Sequence, residues 1–199
     1  QSEKMKKLLF LIPLLVINFQ LAAQISRADV LPLFTQLEEK EYKDAHKTAL
    51  DLLTRFEQDS SYIMGIVRYG FLYSGAALIA DGKMDYDELK VHSSKLEGKL
   101  IRMAAHPSSA DTSRLQNNTN VFYPSEAGTE CRTTSTNEAG TSIYFFENFH
   151  FDTALEAERL NGKITRCGGV LDKIEFNPNG SKIWIMRLHI SNADLQVLQ

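Results

Sequence analysis

The hydrophobic period of this chain changes once, close to Pro107, and that change limits the folds open to it. Between Ser26 and Ala105, apolar residues recur at the spacing of one helical face. After residue 120 they alternate with polar residues, which is the pattern of a half-buried strand. The sequence therefore predicts an α+β fold in which antiparallel helical hairpins precede a small antiparallel β domain.

Local signals mark the starts of the predicted helices. Ser26 and Asp29 have the spacing of a capping box, and Asp85 and Glu88 repeat it ahead of a fourth helix. Between them, residues 62–80 are apolar on nearly every side, which is typical of a helix buried at the centre of a domain. The fourth helix is predicted to continue to the end of the helical half.

Residues 37–45 and 82–89 look alike. Each segment places a tyrosine, Tyr42 or Tyr86, just after a turn, with a small or aliphatic residue three positions later. This arrangement resembles tetratricopeptide (TPR) repeats, in which an aromatic and a small residue lock paired helices together. The two tyrosines are further apart than the roughly 34 residues of that family's repeat. A plain four-helix bundle is the alternative.

The resemblance to TPR repeats implies a function. Such repeats hold peptides or partner proteins in a concave groove, so the same role is expected for this helical half. Polar residues on the predicted outer helix faces are the candidate contacts, namely Lys43, Lys47, Arg68 and Lys90. The alternative is that these side chains are merely solvated.

The N-terminal residues predict export. Lys6 and Lys7 precede an apolar run from Leu8 to Phe19, and the small residues Ala22 and Ala23 follow it. This order is that of a secretory signal peptide. The run is shorter than the about 20 residues of a spanning helix, so no stable membrane span is expected after cleavage. The segment resembles signal peptides of exported Bacteroidota proteins, and a periplasmic or extracellular location is expected.

Composition shifts divide the chain further. Ser, Asp, Thr and Asn dominate the stretch between the two halves, which is typical of a linker or surface loop. The predicted parts are a signal peptide at 1–23, a helical domain at 24–106, a linker at 107–120 and an antiparallel β domain at 121–199.

Charge and motifs exclude several function classes. The chain has 22 basic and 25 acidic residues and a net charge of −3, without a basic stripe, so a nucleic-acid partner is not expected. It also lacks a Walker loop, a G-x-S-x-G elbow, an H-E-x-x-H helix and a C-x-x-C pair. No cofactor, metal site or catalytic residue is therefore assigned.

The two cysteines, Cys131 and Cys167, both lie in the β half. An even pair in an exported protein is a candidate disulfide. Two free buried thiols or one reactive thiol are the alternatives. His150 and His189 lie in the same half, but their spacing from the cysteines is not that of a structural zinc site.

Aromatic residues are concentrated on two predicted strands. Tyr144, Phe146 and Trp184 are candidates for lining a groove for a small ligand or an oligosaccharide, whereas the core of a small sheet is the alternative. The turn signal at residues 177–180 predicts a hairpin between the last two strands. Gly168 and Gly169 indicate a bulge or a close approach of another chain segment.

One carboxylate stands out because Glu147 falls on the apolar side of its strand, where burial would raise its pKa.

The leading functional prediction is a non-catalytic protein that binds a protein or peptide partner on its helical surface. The first alternative is a small-ligand or oligosaccharide binder centred on the aromatic β half. The second is a hydrolase of unrecognised fold, with a pocket where Glu147, His150 or His189 converge.

Overall fold

A computed structural model describes residues 24–198. The predicted signal peptide, with its positive and apolar segments, lies outside the described residues.

Side-chain caps mark the starts of three of the five α-helices in the described residues. Ser26 caps α1 through the predicted capping box with Asp29. Ser61 caps α3 by accepting a hydrogen bond from the Met64 amide, and Asp85 caps α4. The helices are α1 (Arg27–Glu38), α2 (Tyr42–Arg55), α3 (Tyr62–Ala80), α4 (Tyr86–Ser93) and α5 (Ala157–Leu160), and the 3-10 turn is Ser94–Leu96.

Helix α3 is the centre of the helical layer and is buried along most of its length. Gly75 allows α4 to approach it, since a Cβ there would lie 2.6 Å from Leu89 Cδ1. α3 is long and apolar enough to cross a membrane. However, 78% of its apolar 18-residue stretch is buried within the fold, which is typical of a core helix.

Seven strands form one mixed sheet in the order β1-β6-β2-β3-β4-β5-β7. β2 runs parallel to β3, β5 runs parallel to β7, and β6 pairs with β7 as an antiparallel hairpin at the predicted turn. The strands are β1 (Leu100–Arg102), β2 (His106–Ser109), β3 (Asn120–Ser125), β4 (Gly128–Thr136), β5 (Ile143–Phe151), β6 (Ile164–Phe176) and β7 (Trp184–Val197).

The pairings close on themselves. β6 bonds to β2 along one edge and to β7 along the other, so β2, β3, β4, β5, β7 and β6 form a ring of strands. β1 shares the β2 edge of β6, beside residues 168–170. The register of β6 shifts near Gly168, where the sequence predicts a bulge or close approach.

The predicted fold class is wrong. The sheet is mixed and has seven strands, so it is not a small antiparallel domain, and no bundle of TPR-like or four-helix hairpins is evident in residues 24–198. The fourth helix ends at Ser93 and passes into the 3-10 turn. Gly98 then adopts a left-handed φ of +78°, and Leu100–Arg102 pairs with β6 instead of extending the helix. The apolar residues of Leu100–Arg102 are therefore explained by burial in the sheet and not by a helical face.

A single hydrophobic core joins the helices to the sheet. It includes Leu33 and Phe71 from the helical layer and Phe122, Phe145 and Leu188 from the strands. The inner face of the curved sheet thus packs against α3, and any cavity between these two layers is lined by both.

Buried Arg102 fixes the end of β1. Its guanidinium donates two hydrogen bonds to the Asp194 carboxylate, at 2.6 and 2.5 Å, and lies 4.3 Å from the centre of the Tyr62 ring. Gly168 leaves room for it, because a Cβ there would lie 2.7 Å from Arg102 Cζ. This contact sets the position of the segment that follows β1.

Candidate functional site

A pocket of about 440 Å³ lies between the helical layer and the sheet. α1 and α3 supply two of its walls, residues 103–105 together with His106 at the start of β2 supply another, and β4 contributes Ser135. Most of the lining is apolar, and the aliphatic and phenyl part consists of Phe34, Leu37, Ile66, Met103, Ala104 and Ala105. A concave, mainly apolar pocket with a few polar groups is the usual form of a small-molecule site.

Gly70 brings α1 and α3 together at this pocket. A Cβ at Gly70 would lie 3.3 Å from Leu33 Cδ2 and 3.4 Å from Leu37 Cδ1, which is tight against the α1 side chains. The absence of a side chain at this position lets the two helices meet and form one continuous wall.

Three side chains form a hydrogen-bonded chain that ends at the pocket. Ser135 Oγ donates to Glu147 Oε2 at 2.9 Å, and the Tyr69 hydroxyl lies 2.8 Å from Ser135 Oγ. Tyr69 and Ser135 line the pocket, whereas Glu147 is fully buried behind them. The chain therefore connects a carboxyl group in the protein interior to a hydroxyl on the pocket wall.

The carboxyl group of Glu147 is held in an unusual state. Burial raises its pKa to about 7, against a smaller lowering effect of the Ser135 and Tyr69 hydroxyls. Its Oε1 accepts no hydrogen bond from residues 24–198. Burial also raises the pKa of Tyr69 well above its ordinary value, so Tyr69 keeps its proton. Glu147 therefore titrates near neutral pH while its neighbour does not.

His106, a half-buried residue, adds a second polar atom that is buried, its Nε2. Its Nε2 finds no hydrogen-bond partner within the described part of the chain, and burial lowers its pKa to about 4. At neutral pH it therefore faces the pocket as an uncharged imidazole. The charged residues of the lining are Glu38 and Arg166, and Arg166 also donates to the Tyr62 hydroxyl at 2.6 Å.

The structure brings the two predicted cysteines together. Cys131 on β4 and Cys167 on β6 are fully buried, and their sulfur atoms lie 3.9 Å apart without a covalent bond. Burial raises the pKa of Cys131 well above its ordinary value, which favours the thiol over the reactive thiolate. A disulfide between them remains a prediction, which a mass measurement of the mature protein under non-reducing conditions checks.

The three predicted ligand-binding aromatics do not share one surface. Phe146 and Trp184 are partly exposed, their ring centres lie 5.8 Å apart, and Arg187 lies over both. Tyr144 is buried and packs edge-on against Tyr73 of α3, 5.0 Å from its centre. None of the three lines the pocket between α1, α3 and the sheet.

The four predicted partner-binding residues also do not share one surface. Lys43 and Lys47 lie exposed on α2, and Lys90 lies exposed on α4, where it contacts Asp87. Arg68 is buried, and its guanidinium donates to the backbone carbonyls of residues 100 and 59, at 2.9 and 2.6 Å. Arg68 thus joins α3 to its neighbours in the interior.

The histidines predicted to converge on Glu147 face elsewhere. His150 lies near Asp152, and His189 lies near Glu175, in a polar outer groove of the sheet. Alternation along β5 places His150 and Glu147 on opposite faces of the strand. Among residues 24–198, no three His, Cys, Asp or Glu side chains are placed to hold a metal ion.

Sequence reasoning identified Glu147 but missed Tyr69, Ser135 and His106. Ser135 has a local signal, because it falls on the same alternating face of its strand as Cys131. Tyr69 is a hydroxyl-bearing residue within a largely apolar helix, which indicates a buried hydrogen-bond partner. His106 has no comparable signal, because its burial depends on the pairing of β1 and β2 with β6.

Comparison with protein-family models, with curated proteins and with solved structures gives no match. The inference of function therefore depends on the geometry of the pocket.

Proposed function

We propose that the protein binds a small, largely apolar molecule in the pocket between α1, α3 and the sheet. The supporting observation is the pocket itself, whose volume of about 440 Å³ falls in the range of about 300–1,000 Å³ that small-molecule sites occupy. Its walls come from helices and strands that are far apart in the chain. Packing in the shared hydrophobic core keeps these walls in position. On this proposal the protein is a binding protein and not a catalyst.

The pocket supports a small ligand better than it supports a peptide. A groove on a helical repeat would need stacked hairpins, and α1, α2 and α4 instead cover the central helix α3. A protein or peptide partner on the exposed face of α2, with Lys43 and Lys47 as contacts, stays a prediction. The proposed place of action is the periplasm or the cell exterior, on the evidence of the N-terminal segment.

Filling the pocket tests the proposal. The neutral fluorophore N-phenyl-1-naphthylamine is titrated into the wild-type protein and into Ala105→Phe, which places a phenyl group on the pocket wall. We expect wild-type protein to enhance the fluorescence saturably and the variant to lose most of that enhancement. Ala154→Phe, at an exposed position outside the pocket, is the matched control and should bind as the wild type does.

A folding check keeps the result interpretable. Circular dichroism and thermal unfolding should show that Ala105→Phe is folded, and Ala104→Trp at an exposed position of the same wall gives a second way to fill the pocket. Undiminished binding in both folded variants would contradict the proposal, as would the absence of saturable binding to the wild type.

A further inference from the structure

The chain of Tyr69, Ser135 and Glu147 gives the polar end of the pocket a definite hydrogen-bond direction. Ser135 has a single hydroxyl proton, and it donates this proton to Glu147 Oε2 when the carboxylate is ionised. The 2.8 Å contact with Tyr69 then requires the Tyr69 hydroxyl to be the donor to Ser135 Oγ. The proton of Tyr69 is used inside the chain, so towards a ligand in the pocket that Tyr69 lines its oxygen can act only as an acceptor.

A proton on Glu147 permits the opposite direction. The carboxyl group can then donate to Ser135 Oγ, Ser135 can donate to the Tyr69 oxygen, and the Tyr69 O–H turns to the pocket as a donor. No atom has to move far, because each hydroxyl only rotates about its C–O bond.

We propose that the pocket selects an uncharged ligand through Tyr69, and that the protonation of Glu147 decides whether Tyr69 accepts a hydrogen bond from the ligand or donates one. This inference rests on the proposed binding function. It names the ligand class as a neutral apolar molecule with one hydroxyl or carbonyl group. An ionised Glu147 repels an anionic group placed against Tyr69. Arg166, the cation of the lining, directs its guanidinium to the Tyr62 hydroxyl instead.

The surroundings of Glu147 allow it to act as the titrating group. The titratable side chains that face it are Tyr69 and Tyr73 on α3 and Cys131 on β4, and the pKa of each is raised, so all three stay neutral around pH 7. The neighbouring position on β7 is the aliphatic Leu188. The pKa of Glu147, raised to about 7 by burial, places the change of direction near neutral pH.

A pair of matched probes tests the inference. 2-Naphthol can donate a hydrogen bond through its hydroxyl, whereas 2-methoxynaphthalene can only accept one. Affinities for both are measured by calorimetry at about pH 5 and about pH 8.5, on either side of the transition. We expect the preference for 2-naphthol over 2-methoxynaphthalene to rise about three- to tenfold between the two pH values, as the exchange of one hydrogen-bond direction allows.

Two variants and one control assign the effect to the chain. Glu147→Gln removes the titrating group, so it should abolish the pH dependence of the preference. Ser135→Ala removes the hydroxyl that joins Glu147 to Tyr69, so it should weaken that pH dependence. Glu38→Gln removes an exposed carboxylate from the same pocket and should leave the pH dependence intact.

The outcomes separate the two proposals. If both probes bind to the wild type with a preference that does not change with pH, the inference about Glu147 is overturned and the binding function stands. A pH dependence that persists in Glu147→Gln also overturns it. If neither probe binds at either pH, the proposed function itself fails.

Discussion

Replacing Glu147 with glutamine is expected to remove a pH-dependent cost to folding. The substitution keeps the shape of the side chain and the hydrogen bond to Ser135, but it removes the group that titrates. In the folded protein burial raises the pKa of Glu147 from 4.5 to about 7, whereas in the unfolded chain the side chain is solvated and keeps its ordinary value.

The sign follows from proton binding. Because the folded state binds this proton more tightly than the unfolded state does, the stabilising contribution is fully present below about pH 4.5 and is lost as the pH rises through about 7. The loss amounts to about 3 kcal/mol of unfolding free energy once the carboxylate is ionised in both states. Glutamine does not titrate, so the unfolding free energy of the variant rises relative to that of the wild type as the pH rises.

Urea unfolding of both proteins across this pH range measures the effect. The difference in unfolding free energy between Glu147→Gln and the wild type should shift by about 3 kcal/mol in favour of the variant between about pH 4.5 and about pH 8.5. Groups shared by the two proteins cancel in that difference. Glu38→Gln, at the exposed rim, should show no such trend, and a difference for Glu147→Gln that stays constant with pH would refute the reasoning.

Two further substitutions test other parts of the structure. Gly75→Val should destabilise the protein by about 1–3 kcal/mol, because its Cβ would lie 2.6 Å from Leu89 Cδ1. Thermal unfolding measures this loss of stability. Gly65→Ala is the control that should be tolerated, because its Cβ would have ordinary contacts at 3.4 Å. His106→Asn should make stability less sensitive to acid, because the lowered pKa of His106, about 4, gives the wild type stability above about pH 6.5 that is lost as the pH falls towards 4. Urea unfolding at both pH values checks that result, and an unchanged acid sensitivity would count against a buried neutral imidazole.

Local chemistry made the helix starts predictable. The capping boxes at Ser26 and Asp85 depend only on residues three positions away, and both caps are observed. The hairpin of β6 and β7 was accessible for the same reason, because its turn lies between adjacent strands. Signals of this range do not specify which distant strands become neighbours.

The sheet was not predictable for that reason. Leu100–Arg102 has the apolar spacing of a helix end, and only its pairing with residues 168–170 makes it a strand. The two parallel pairs likewise join segments that the chain separates by a long connection or by another strand. An alternating pattern identifies a strand and its buried face, but it does not identify the partner or its direction.

The candidate site was predictable in part. The alternation along β5 places Glu147 on the buried face, and burial of a carboxyl group implies a raised pKa. Its connection to Tyr69 joins α3 to β4 and β5, so it exists only once the helical layer has packed on the sheet. The three predicted aromatics do not share one surface, because Tyr144, near the start of β5, packs against α3 and away from Phe146 and Trp184.

The position of β7 in the ring has a consequence for folding during translation. β7 is translated after the six other described strands, and it joins β5 to β6. The apolar surface of α3 that packs against the sheet is translated long before its cover exists. Vectorial synthesis therefore cannot close the ring of strands until β7 has been translated.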